Sequence, residues 1–230
     1  LTIVSNMSDY RKPDHDISPI FVNRWSPRAM SGEEITREEL MRLFEAARWA
    51  PSSNNNQSWR FLYALRSGPH WEKFFGFLTP GNQAWCKNAA VLIVVISKTT
   101  FDYNGKPART HTYDTGAAWV SLALQGSFMG LVVHGMQGFS YDLAKTGLNV
   151  SDEYQVEAMA AVGRPGNKAD LPPALQEREF PRIERSSRRS FLRAGSERSA
   201  GEMMAVQRGN LPSLLLAPPR EGEVRTEDGR

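Results

Sequence analysis

Ala50-Pro51-Ser52-Ser53-Asn54-Asn55-Asn56-Gln57-Ser58-Trp59 is the stretch on which the reading of this chain turns. A helical pattern stops at Pro51 and a strand-like one starts at Trp59. Between them, residues 52–57 are all small and polar, each carrying a hydroxyl or an amide and none a charge. Such side chains offer donors and acceptors at short reach. They suit a polar ligand rich in carbonyls and ring nitrogens, held against a rigid scaffold. Asn and Ser also favour plain turns through local hydrogen bonds. On this segment alone both readings stand.

Upstream, Thr36 with Glu39 forms a capping box, and Ile35 with Leu40 has the spacing of a hydrophobic staple. Leu40, Leu43, Phe44, Ala47 and Ala50 fall on one helical face, and Pro51 ends it. Before this helix, Arg24, Ser26 and Arg28 alternate, so in an extended segment all three point to one side. Two guanidiniums and a hydroxyl there make either a phosphate clamp or an exposed turn with scattered arginines. Residues 1–17 are polar and without period, and read as an arm.

Downstream, residues 59–65 read as a strand and 71–77 as a short helix, broken by Thr79-Pro80-Gly81. Residues 91–96 are a continuous aliphatic run, as in a strand covered on both faces. The helix expected over 115–129 is apolar almost all round, which places it centrally or against a partner subunit. A strand over 131–134 leads to Gly135-Met136-Gln137-Gly138, read as a turn where backbone can come close to a ligand. A helix over 141–146, a strand over 154–162 and a short helix over 172–179 complete the ordered pattern. The expected organisation is an arm (1–17), one domain (18–194) and a disordered tail (195–230).

Composition is that of a globular protein: 40% hydrophobic and 23% charged over 230 residues, enough for one substantial core. The net charge of +3 is concentrated at Arg178, Arg182, Arg185, Arg188, Arg189 and Arg193, with only Phe180 and Phe191 among them. That is a local anion site or a solvated face, and it lacks the wide basic surface of a nucleic-acid binder. No apolar run approaches the roughly 18 residues of a membrane span. Nor is a secretory signal visible, and the lone Cys86 reads as a buried structural residue in a reducing, cytoplasmic compartment. His15, His70, His111 and His134 show no metal spacing, and no G-x-S-x-G or Walker A segment occurs. His111 with Asp114 reads as a cap on the long helix, and His134 as a satisfied structural histidine.

Arg24-Trp25-Ser26-Pro27-Arg28, followed by Pro51, Ser52, Asn55, Gln57 and Trp59, resembles the opening of the FMN-dependent nitroreductase family. Gly81-Asn82-Gln83 before a buried strand is similar to the family too. So are Gly130-Leu131 leading to Gly135-Met136-Gln137-Gly138-Phe139, Ala161-Val162-Gly163-Arg164-Pro165, and the closing pair Arg188-Arg189. The resemblance runs in order from about Ile17 to Arg193. Ser58 stands where the family usually has Pro, Trp85 where some members have Lys, and Gln137 where Glu or Gly is common. The loop from 98 to 111 is short, whereas large members insert helices there.

The resemblance implies an α+β fold, a mixed central sheet flanked by helices, in an interlocked homodimer with FMN at the interface. Arg24 and Arg188 would hold the phosphate with Ser26 helping, and Arg28 or Lys87 would face the pyrimidine edge. Ser52, Ser53 and Asn55 would reach the flavin from the partner subunit, Asn82 would meet the pyrimidine carbonyls, and residues 135–138 would face N5. Trp25, Pro51, Gln57 and Arg189 complete the expected site. The implied activity is ping-pong electron transfer from NAD(P)H to a nitroaromatic, quinone or similar small acceptor, with no catalytic side chain required. Alternatives are a specialised enzyme of this fold (dehalogenase, flavin-cleaving or small-aldehyde reductase) or a flavin-binding protein without turnover.

Overall fold

Thr36 closes the capping box read from the sequence: its hydroxyl accepts from the Glu39 amide at 3.1 Å, and the Glu39 carboxylate accepts from the Thr36 amide at 2.7 Å. The helix it starts is α2 (Arg37–Arg48), preceded by a five-residue helix, α1 (Pro19–Asn23), that the sequence reading did not foresee. The computed structural model describes residues 11–181 and the backbone of two short strands at 193–194 and 204–205. The chain divides into two units, Leu1–Ile183 and Glu184–Arg230. In the second, Arg193–Ala194 pairs antiparallel with Met204–Ala205, and the rest of the expected tail lies outside the described residues.

The first unit is built on four strands: β1 (Trp59–Leu65), β2 (Val91–Lys98), β3 (Val132–Met136) and β4 (Tyr154–Gly163), in the order β1-β2-β4-β3. The α+β class is as expected. The sheet, expected as mixed, is antiparallel in every pairing among its described strands. β2 is buried along nearly its whole length, because helices cover both faces. Leu92, Val94 and Ile96 turn to the cluster that holds Phe74 and Phe77 of α3 (Trp71–Phe77), Trp85 of α4 (Pro80–Cys86) and Ala144 of α6 (Tyr141–Gly147). Val91, Ile93 and Val95 turn to Leu40 and Leu43 of α2 and to Ala118 and Leu122 of α5 (His111–Phe128).

Several boundaries moved for physical reasons. Pro80 does not merely break the chain; with its fixed φ and missing N–H it occupies the first turn of α4. The long helix begins at His111 rather than 115, and the expected short helix over 172–179 contracts to α7 (Pro173–Gln176). Gly135 and Met136, read as part of a turn, are the last residues of β3, paired with Ala160 and Met159. Within the expected arm, Arg11 is only 8% exposed. Its Nη1 donates to the carbonyls of Val22 and Arg24 at 2.8 and 2.9 Å, so it fixes the chain where it leaves α1.

Candidate active site

β3 lies at the edge of the sheet, and the extended segment 24–28 runs beside it. The His134 ring joins them: its Nδ1 donates to the Pro27 carbonyl at 2.9 Å. The ring packs against Trp85 with centroids 4.6 Å apart. Burial holds the His134 pKa below its ordinary value of 6.5, helped by the nearby charges of Arg28 and Arg24 and opposed by the Pro27 bond and Glu179. His134 is therefore a satisfied structural residue, as its sequence context suggested. Arg24 Nη1 donates to Ser26 Oγ at 3.2 Å, so guanidinium and hydroxyl share one side, as the alternation required. Arg24, Trp25 and Pro27 also line a cavity of about 260 Å3 with Ala123, Ser127 and Leu131.

Arg28 has a neighbour that the sequence reading missed. The amides of Arg28 and Ala29 both donate to Glu179 Oε1, at 2.6 and 2.8 Å, and the Arg28 guanidinium lies 3.7 Å from Glu179 Oε2. Glu179 is buried. The cation expected to face a flavin thus carries its own counter-ion. Lys87, the alternative cation, is exposed on the surface after α4.

The glycines of residues 135–138 are required by packing. A Cβ on Gly135 would stand 2.7 Å from Trp119 Cζ2, and one on Gly138 would stand 2.6 Å from Asn82 Nδ2. Asn82 Nδ2 donates to the Gly138 carbonyl at 2.9 Å, Thr79 donates to the same oxygen through its amide and hydroxyl, and Trp85 Nε1 donates to Asn82 Oδ1 at 3.2 Å. Asn82 is thereby locked between Trp85 and the end of β3. Gln137 is exposed and Met136 buried, its Sδ 3.8 Å from Cys86 Sγ. Burial pushes the Cys86 thiol well above the usual range, so it is the inert structural cysteine expected.

The Asn-rich loop is strained and pinned. Asn54, Asn55 and Gln57 have φ of 52°, 53° and 47°, conformations that cost about 1 kcal/mol or more each for residues other than glycine. Ser52 Oγ accepts from the Gln57 amide at 3.0 Å, and the Ser53 amide donates to Asp114 Oδ2 at 3.0 Å. Asn56 donates to Ser58 Oγ and the Thr100 carbonyl and accepts from the Asp102 amide. Pro51 is exposed at the entry to the loop. Asp114 was expected to pair with His111 as a helix cap; it is buried and anchors the loop through Ser53, with Thr110 Oγ1 as a second donor at 3.2 Å. His111 turns instead to Ser97 Oγ at 2.7 Å and Glu157 at 3.6 Å.

The Asn-rich loop and the Arg24 clamp are far apart in one chain. Asp114, under the loop, and Ser127, beside Arg24, sit on α5 thirteen residues apart, or about 20 Å at the helical rise of roughly 1.5 Å per residue. Segment 24–28 meets β3 at His134, Asn82 meets the chain just after β3 at Gly138, and Gly135 packs on Trp119, between Asp114 and Ser127 on α5; Ser52, Ser53, Asn55 and Gln57 lie away from Arg24. Arg188 and Arg189 lie outside the described residues. Among the described residues no group of His, Cys, Asp and Glu could hold a metal ion, and no helix is long and apolar enough to cross a membrane.

The chain is thus an α+β protein with an arginine–serine segment beside the edge strand β3 and a polar loop toward the other end of the long helix. The sequence model of the Nitroreductase family matches residues 22–77. A solved structure described as an oxidoreductase containing FMN is 42% identical, over 75% of this chain and 88% of that one, with a TM-score of 0.72. A curated protein of Rhodopseudomonas palustris (strain TIE-1), named "Putative NADH dehydrogenase/NAD(P)H nitroreductase", is 24% identical over 151 residues, 56% of this chain and 74% of its own length. A chain from Exiguobacterium sibiricum 255-15, solved in complex with FMN, is 20% identical over 71% of this chain and 93% of that one; its TM-score of 0.58 shows the shared fold. The chain belongs to the nitroreductase family.

Proposed function

We propose that this chain is an FMN-dependent oxidoreductase that passes electrons from NAD(P)H to a nitroaromatic, a quinone or a similarly small electron-poor acceptor. The observation that carries the reading is the placement of segment 24–28, residues 135–138 and Asn82 along one edge strand of the sheet, joined by the Pro27–His134 and Asn82–Gly138 bonds, in a chain 42% identical to an FMN-containing oxidoreductase. The donor set fits the group. Arg24 and Ser26, aligned on one side, supply charged and neutral donors for a phosphate, and Asn82, locked by Trp85, presents a fixed amide to ring carbonyls. Trp25 and Pro27 wall the same segment.

When bound, FMN supplies hydride chemistry on its own ring. The chain's task is then to bind, orient and tune. Arg28 would face the pyrimidine end as a cation already paired with Glu179, which also fixes the backbone at Arg28 and Ala29. His134, held neutral, adds no charge there.

The loop with Ser52, Ser53, Asn55 and Gln57 belongs to the site only through a second copy. Two chains related by a two-fold axis, with their α5 helices antiparallel, set the loop of one against residues 24–28 of the other. Tyr113 and Phe128 on α5, 81% and 71% exposed, are apolar surface that such a homodimer would cover. Nicotinamide and acceptor would use one open face in turn, giving ping-pong kinetics.

Purification tests the reading directly. A yellow protein whose extracted cofactor is FMN, reduced by NADH or NADPH in a stopped-flow instrument and reoxidised by a nitroaromatic or quinone, is the expected outcome. A colourless protein that cannot be reconstituted with FMN would overturn it.

A further inference from the structure

A solvent-open groove runs between the strained loop and the turn carrying Asp102 and Tyr103, walled by Asn54, Gln57, Arg60 and those two residues. Its walls are tied to each other. The Asn56 amide bonds the Thr100 carbonyl from one side and the Asp102 amide from the other. Arg60 is preset rather than loose: its Nη1 donates to the carbonyls of Gln57 and Trp59 at 2.8 and 2.7 Å. Its Nε and Nη2 make no other hydrogen bond among the described residues. Tyr103 is 66% exposed, with its ring against Phe101 at 5.4 Å. The groove's carboxylate, Asp102, is paired with Lys98 and also lies close enough to Arg60 to feel its charge, so two cations share one carboxylate and the groove keeps a net positive charge.

A pre-positioned guanidinium with open N–H groups is the side chain best suited to a phosphate. An exposed phenol ring beside it offers a face on which a purine stacks. Asn54 adds an amide within the same groove, and Gln57, whose Nε2 donates to the Asn55 carbonyl and Oδ1, adds its amide oxygen as an acceptor. The loop that forms this wall also carries Ser52 and Ser53, assigned above to the cofactor. A reductant whose nicotinamide reaches the flavin would therefore pass its other end along the groove.

We propose that this groove binds the phosphorylated adenosine end of NADPH through Arg60 and Tyr103, and that the enzyme prefers NADPH to NADH for this reason. The proposal rests on the functional reading above. The experiment separates the two. Calorimetric titration of the purified flavin-loaded protein with 2′,5′-ADP and with 5′-AMP needs no turnover; 2′,5′-ADP should bind at least about tenfold more tightly, the worth of one charged contact. Arg60→Ala should erase that difference, and Tyr103→Ala should weaken both ligands, with FMN retained in each variant. In steady state, Arg60→Ala should raise the KM for NADPH about tenfold more than that for NADH. Raising the ionic strength should narrow the wild-type preference. A protein that binds 2′,5′-ADP no better than 5′-AMP, or an Arg60→Ala variant that keeps the preference, overturns the proposal. Failure of either nicotinamide to reduce the flavin, with 2′,5′-ADP still bound, overturns the functional reading instead.

Discussion

Replacing Glu179 should reveal how much the segment 24–28 depends on a residue some 150 positions away. One carboxylate oxygen accepts two backbone amides, from Arg28 and Ala29, at 2.6 and 2.8 Å. The other stands 3.7 Å from the Arg28 guanidinium. The Glu179 side chain is 3% exposed, so water cannot take over these bonds without local opening. A hydrogen bond to a charged group contributes about 1.5–3 kcal/mol net. Glu179→Ala therefore removes two such bonds and strands two amides, for a loss of about 3–5 kcal/mol. Glu179→Gln keeps an oxygen for both amides but loses the charge beside Arg28, and should cost about 1–2 kcal/mol. Urea denaturation of the flavin-free variants, followed by circular dichroism, should show lowered midpoints with unchanged slopes. FMN affinity, read by fluorescence quenching, should weaken in the same order. A Glu179→Ala variant within about 0.5 kcal/mol of wild type would refute the anchoring argument.

Other substitutions separate binding from folding. Arg24→Ala should weaken FMN retention about a hundredfold, the worth of roughly 2–3 kcal/mol, with little change in the urea midpoint. Gly135→Ala would force a methyl to 2.7 Å from Trp119 and should cost about 1–3 kcal/mol by overpacking, with partial rescue by Trp119→Leu in thermal melts. Burial holds the folded-state pKa of His134 below 6.5, so the unfolded chain takes up the proton first as pH falls. Its contribution to stability is complete above about pH 6.5 and lost as pH drops through that value toward the folded pKa. The melting temperature of wild type should thus fall more steeply on acidification than that of His134→Gln. Sedimentation at low micromolar concentration should give one dimeric species, and a stable flavin-loaded monomer would contradict the proposed arrangement.

Local rules recovered the elements with strong period or punctuation. The Thr36–Glu39 capping box, the buried run at β2 and the apolar character of α5 were all legible, because each signal lies within a few neighbouring residues. α4 was not, since Pro80 can end one helix or open another and only the fold decides. The glycines at 135 and 138 were visible, but their cause was not: an indole from α5 and an amide from α4 fill the space. The largest gap concerns the partners of charges. Glu179 on Arg28, Asp114 under Ser53 and Arg11 on the Arg24 carbonyl are contacts across many residues, and periodicity carries no trace of them. A motif marks Arg24, Ser26 and Asn82 in the sequence; nothing marks the side chains that hold them in place.

The distance along α5 between the loop and the clamp has a genetic consequence. On the proposed two-fold arrangement, each active centre takes its clamp from one chain and its loop from the other. An Arg24→Ala chain has a sound loop, and an Asp114→Ala chain, whose loop has lost its anchor, has a sound clamp. Neither homodimer contains an intact centre. When the two are unfolded together and reassembled, every mixed pair concentrates both lesions in one centre and leaves the other wholly native. Two inactive preparations should then complement each other in a single tube, as two defective alleles would in one cell.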